Sequence, residues 1–122
     1  MISVIDQSGK EGKGWRKAVA LAGRVAWPGV PLSQPLVLMI DFYMPRPKSH
    51  YGTGKNSGLL KDSAPVFHLI RPDATKLLRL VEDALTGIVW SDDAVIVRQE
   101  INKQWATSIE PGCWVRVGDA SG

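Results

Sequence analysis

The segment from Asp73 to Thr86, DATKLLRLVEDALT, constrains this chain more than any other. Leu77, Val81, Ala84 and Leu85 recur on one face of a 3.6-residue helix, and Leu78 widens that face. Lys76, Arg79 and Asp83 fall on the opposite arc, with Asp73 at its margin. Asp73 directly follows Pro72, which places it at the N-cap or in the first turn, and Gly87 stands where a helix commonly closes. Only a few residues then separate this helix from AVIVRQEINKQW, a β-type run from Ala94 to Trp105. So short a link makes the helix and strand neighbours, and one apolar face on each commits the chain to a helix laid against a sheet.

The remaining segments extend that plan. WRKAVALAGRVAW, Trp15 to Trp27, carries apolar residues at helical spacing and is stopped by Pro28. A proline-rich connector leads to LVLMIDFYM, a strand from Leu36 to Met44 halted by Pro45. A long loop rich in glycine and proline follows, and GCWVRVG supplies a short last strand. Residues 1–13 are polar and glycine-punctuated, and they read as a frayed start with no strand ahead of the first helix. Residues 118–122 read as a frayed end. The expectation is a single α+β domain over residues 1–122, a mixed β-sheet packed with two main helices. Hydrophobic residues at 44% and charged residues at 22% are ample for a core of that kind.

Several function classes are disfavoured at this point. The longest apolar runs are far short of a bilayer span, and the N-terminus has no signal-like apolar region, so no membrane role and a cytoplasmic location are expected. Cys113 is the lone cysteine, which excludes an internal disulfide and a cysteine-based zinc cluster. His50 and His68 are too isolated for a zinc site and read as surface-loop residues, and no Ser/His/Asp signature or small-molecule cofactor motif is present. The net charge is +3, from 15 Lys and Arg against 12 Asp and Glu. Between Arg46 and Arg71 the chain carries Lys48, Lys55 and Lys61 against the single acid Asp62, whereas Glu82, Asp83, Asp92 and Asp93 gather later. A basic apron beside an acidic group suits a protein that holds phosphates and a divalent cation, though a solvated loop beside a solvated helix has the same composition.

The acids themselves admit two readings. Asp73 can be a helix cap, favoured by the dipole, and an acidic pair at a strand start is common in turns. Alternatively, Asp73, Asp93 and Asp92 are oxygen ligands for Mg2+, with Arg79 or Lys76 as a cation for developing negative charge during phosphodiester hydrolysis. Asp93 belongs near the C-terminal end of the helix, so the chain must bend for it to meet Asp73.

RPDATKLLRLVEDALTG followed by VWSDDAVIV resembles the RusA family of Holliday-junction resolvases. That family's pattern is roughly Pro-Asp-x-Asp-(Asn/Lys)-Leu, a basic residue, Asp-Ala-Leu, and then an Asp-Asp pair; the likeness extends over most of residues 14–117. The resemblance implies a homodimeric, Mg2+-dependent endonuclease (Mn2+ as an alternative) that nicks four-way DNA junctions symmetrically in recombination and repair. It assigns catalytic roles to Asp73, Asp93 and Arg79, and metal contacts to Asp73, Asp93 and the less critical Asp92. Lys48, Lys55 and Lys61 are the expected DNA contacts, with Arg46 and Lys76 behind them. Thr75 stands where the pattern has a second aspartate, and a hydroxyl there brings no negative charge. A junction-binding homologue that no longer cuts is therefore the alternative, and an unrelated α+β interaction module with surface acids is the third reading.

Overall fold

The computed structural model describes residues 2–5 and 12–121. Six elements follow one another: β1 (Ile2–Ile5), α1 (Gly12–Ala26), β2 (Leu36–Pro45), α2 (Ala74–Leu85), β3 (Ile96–Ala106) and β4 (Gly112–Asp119). The strands form one mixed sheet in the order β1-β4-β2-β3. β4 runs antiparallel to both β1 and β2, and β2 pairs in parallel with β3. A parallel pair needs a crossover, and here the long loop and α2 provide it. The α+β architecture expected from the sequence is the one observed.

β2 is the central strand, and its burial alternates with a period of two. Leu36, Leu38, Ile40, Phe42 and Met44 are buried, whereas Val37, Met39, Asp41 and Tyr43 are half-exposed on the other face. The buried set meets Trp15 and Val19 of α1, Leu77, Val81, Ala84 and Leu85 of α2, and Cys113 and Val115 of β4. Both helices thus pack on one side of the sheet. A Cβ built on Gly23 would lie 2.5 Å from Leu85 Cδ2, so the glycine allows α1 to approach α2 closely. Among the described residues no helix is long and apolar enough to cross a membrane.

Both chain ends differ from expectation. Ile2–Ile5 form a strand, with Ile2 opposite Val115 and Val4 opposite Cys113, although no strand was expected before α1. Three β-branched residues in four suit an extended edge, and β4 offers its otherwise unpaired side; the polar, glycine-rich stretch that follows hides so short a run. At the other end β4 continues to Asp119, which pairs with Leu36, and Ala120 N donates to Pro35 O at 2.9 Å. The expected fraying at residues 6–11 and 122 lies outside the described residues.

The long loop is organised rather than open. Tyr51 bridges Leu60, Gly52 N donates to Leu59 O at 2.9 Å, and Lys61 N donates to His50 O at 2.9 Å. His68, expected on the surface, is 5% exposed and packs edge-on to Trp105 with ring centroids 4.5 Å apart. Trp105 also meets His50 at 4.8 Å and donates from Nε1 to Phe67 O at 3.0 Å. One indole at the end of β3 therefore anchors the loop. Local sequence around His68 carries no hint of this, because its partner lies 37 residues away.

Candidate nuclease site

Asp73 is the N-cap of α2: its backbone is extended (φ −76°, ψ 159°) and its carbonyl accepts from Leu77 N at 3.2 Å. Its carboxylate makes no capping hydrogen bond. That separates the two sequence readings, since a cap spends its side chain on the first-turn N–H groups and Asp73 leaves its own turned outward. The only ion pair described for it is a solvent-exposed one to Lys76 Nζ at 3.9 Å. The approach to Asp73 is held from the sheet: Lys103 Nζ donates to Ile70 O at 3.0 Å and to Pro72 O at 3.1 Å.

Asp93 sits at the opposite end of α2. Thr86, the C-cap, directs its hydroxyl toward Asp93 Oδ1 and also lies 2.6 Å from Glu82 O. Trp90 Nε1 is 3.0 Å from both Thr86 Oγ1 and Asp93 Oδ1, and the Trp90 side chain is fully buried. The turn carrying them is clamped to the α1–β2 connector by Leu32 N to Val89 O at 2.8 Å and Ser91 N to Leu32 O at 2.9 Å. Asp92 acts locally, where its Oδ1 accepts from Ala94 N at 2.9 Å and caps a single 3-10 turn over Asp93–Val95.

The bend needed to join Asp73 to Asp93 does not occur. Thirteen residue steps separate Asp73 from Thr86, which at a helical rise of 1.5 Å is about 20 Å. Oxygen ligands of one Mg2+ stand about 2.1 Å from the ion, so one chain cannot bring both carboxylates to the same cation. Among the described residues no three His, Cys, Asp or Glu side chains converge as a metal site. The donor set of a single copy does not fit the metal.

Between these ends, α2 carries a polar stripe. Thr75, Arg79, Glu82 and Thr86 follow at steps of four, three and four, which places them along one line of the helix. Glu82 accepts from Gln99 Nε2 at 2.9 Å, and partial burial together with the Asp93 charge raises its carboxyl above the usual range. Sequence reasoning missed Glu82, Thr86, Lys103 and Trp90 as site neighbours. The i, i+4 spacing of Glu82 and Thr86 was the available signal for two of them.

The expected DNA contacts divide. Lys48, Lys55, Lys61 and Lys76 are exposed. Arg46 is committed within the protein: Nε donates to Thr107 Oγ1 at 2.7 Å, Nη1 donates to Pro65 O at 2.9 Å, and its guanidinium lies 5.3 Å from the Trp105 ring centre.

Comparison with known proteins returns one family. The model of endodeoxyribonuclease RusA matches residues 7–118, nearly the whole chain. No curated protein matches. The matched span holds α1, β2, the long loop, α2, β3 and all but the last residue of β4, and so includes both Asp73 and Asp93. The chain belongs to the RusA family of endodeoxyribonucleases, whose members resolve Holliday junctions.

Proposed function

We propose that this protein is a Mg2+-dependent endonuclease that acts as a homodimer and nicks four-way DNA junctions symmetrically. The observation that carries the reading is Asp73, whose carboxylate stands at the head of α2 unspent on capping, in a chain of a junction-nuclease family. A junction with two-fold symmetry calls for two equivalent cuts, which a two-fold dimer supplies. Arg79, exposed on the α2 stripe, is the cation assigned to the charge that develops on the scissile phosphate. Exposed Lys48, Lys55 and Lys61 are placed to hold flanking phosphates. Because one copy does not gather the metal ligands, no step through the metal is assigned to a single chain.

The test is cleavage of a synthetic four-way junction in Mg2+, with Asp73→Asn beside the wild type. Paired nicks that vanish in Asp73→Asn support the reading; junction binding without cleavage in Mg2+ or Mn2+ overturns its enzymatic half. Thr75 favours a second reading, a junction binder that has lost cutting. It is the second residue of α2 and exposed, at the place where the family pattern has an aspartate. Cleavage by Thr75→Asp alone, with none by the wild type, selects that reading.

A further inference from the structure

Three features of one copy remain unmatched within it. Asp73 and Asp93 lie at opposite ends of α2, about 20 Å apart by helical rise, although the sequence motif makes them members of one site. The stripe between them has a polarity that reverses about its middle. Arg79 and Glu82 flank its centre, with Thr75 toward the Asp73 end and Thr86 at the Asp93 end. When two such stripes are laid antiparallel, Thr75 meets Thr86, Arg79 meets Glu82, and each pairing occurs twice about a two-fold axis. Glu82 Oε2 is taken by Gln99, which leaves the other carboxylate oxygen for a second guanidinium.

The chain just ahead of Asp73 is apolar and uncovered. Val66 is 77% exposed, Phe67 71%, Leu69 84% and Ile70 61%. Scattered exposed apolar residues are ordinary, but four within five positions form a patch. At the other end of α2 an apolar hollow lies between Trp27, Pro28, Pro31, Gly87 and Ile88. The first half of β3, beside the stripe through Gln99, is also exposed on both faces, Val97 at 64%.

We propose that the site is completed by a second copy of this chain, with α2 of the two copies antiparallel, so that Asp73 of one copy and Asp93 of the other face a single cation position. The Arg79–Glu82 pairs set the register, and the Val66–Ile70 segment of each copy seats against the hollow beside Gly87 of the other. The arrangement is isologous: the same contacts occur twice and produce two equivalent sites. It rests on the nuclease reading for its chemistry and on the surface of α2 for its geometry.

Two measurements test it. Asp73→Cys and Asp93→Cys, purified separately and mixed, are treated with a short bis-maleimide. The buried Cys113, its thiol pushed up to about 12, stays unreactive. A cross-linked dimer in the mixture and in neither variant alone supports the pairing; no cross-link in the mixture overturns it. In sedimentation, Arg79→Glu should weaken the dimer at least about tenfold through like-charge repulsion, and Glu82→Arg added to it should restore assembly. Loss without restoration removes the proposed register.

Cleavage gives the second measurement. Asp73→Asn mixed with Asp93→Asn makes a heterodimer in which one composite site is wild type and the other is doubly altered. Single-strand nicking by the mixture, absent from each variant alone, supports a shared site. A mixture as inactive as its components, where wild type cuts, overturns it. Should wild type cut nothing, the nuclease reading fails and the cross-link still decides the pairing.

Discussion

Trp90 Nε1 stands 3.0 Å from Asp93 Oδ1, so a fully buried indole orients an exposed carboxylate. The ring is fixed by the core and the carboxylate follows it. Trp90→Phe keeps most of the packing and deletes the N–H. Junction cleavage should fall between about ten- and a hundredfold through misplacement of Asp93, while urea unfolding should show a loss of about 1 kcal/mol. A stability loss with unchanged cleavage would make the contact merely structural.

His68 makes stability depend on pH. Burial first, and then the positive charge of Lys103, hold its imidazole below the ordinary 6.5. The folded state therefore favours neutral His68, and this contribution is full above pH 6.5. It declines as pH falls below 6.5 toward the lowered folded value, because the unfolded chain binds the proton first. Its Nδ1 is buried without a partner, so His68→Phe should be at least as stable at pH 7.5, by about 1 kcal/mol. The gap over wild type should widen between pH 6.5 and 5. Parallel stability curves across that range would show that His68 is not the titrating group.

Lys103 reaches from β3 to the carbonyls of Ile70 and Pro72. Lys103→Met keeps the stem and drops both donors. Protease cleavage within residues 66–72 should accelerate, and cleavage of the junction should drop with little change in global stability, about 1 kcal/mol. Equal proteolysis of the two proteins would show that the segment is held by other contacts.

The basic residues of the long loop should separate by role. Lys55→Ala with Lys61→Ala should lower junction affinity and flatten the salt dependence by about 0.9 for each phosphate no longer neutralised, with no change in melting. Arg46→Ala removes two hydrogen bonds and the stacking on Trp105. It should cost about 2 kcal/mol of stability before any effect on DNA is read. An Arg46→Ala protein that melts normally and binds weakly would return that residue to the interface.

What the sequence made legible was local. The buried face of α2, its start after Asp73 and its end before Gly87 follow from apolar spacing and from the residues that bound the helix. The family motif likewise lies within one short span. What stayed hidden depends on contacts between distant parts of the chain: β1 exists because β4 has an edge to offer, and His68 is buried because Trp105 comes to meet it. The separation of Asp73 from Asp93 is intermediate. The helical rise already implied it, and only the straight path of α2 showed that no bend relieves it.

Gly23 gives the last consequence. With no space for a side chain between α1 and Leu85, α2 cannot slide or tilt along its neighbour without opening the core. It behaves as a measuring rod, with one carboxylate fixed near each tip. In a pair of such rods lying head to tail, the gap between the two cutting points is set by helix length, about 20 Å. That is a distance written into the fold before any DNA arrives.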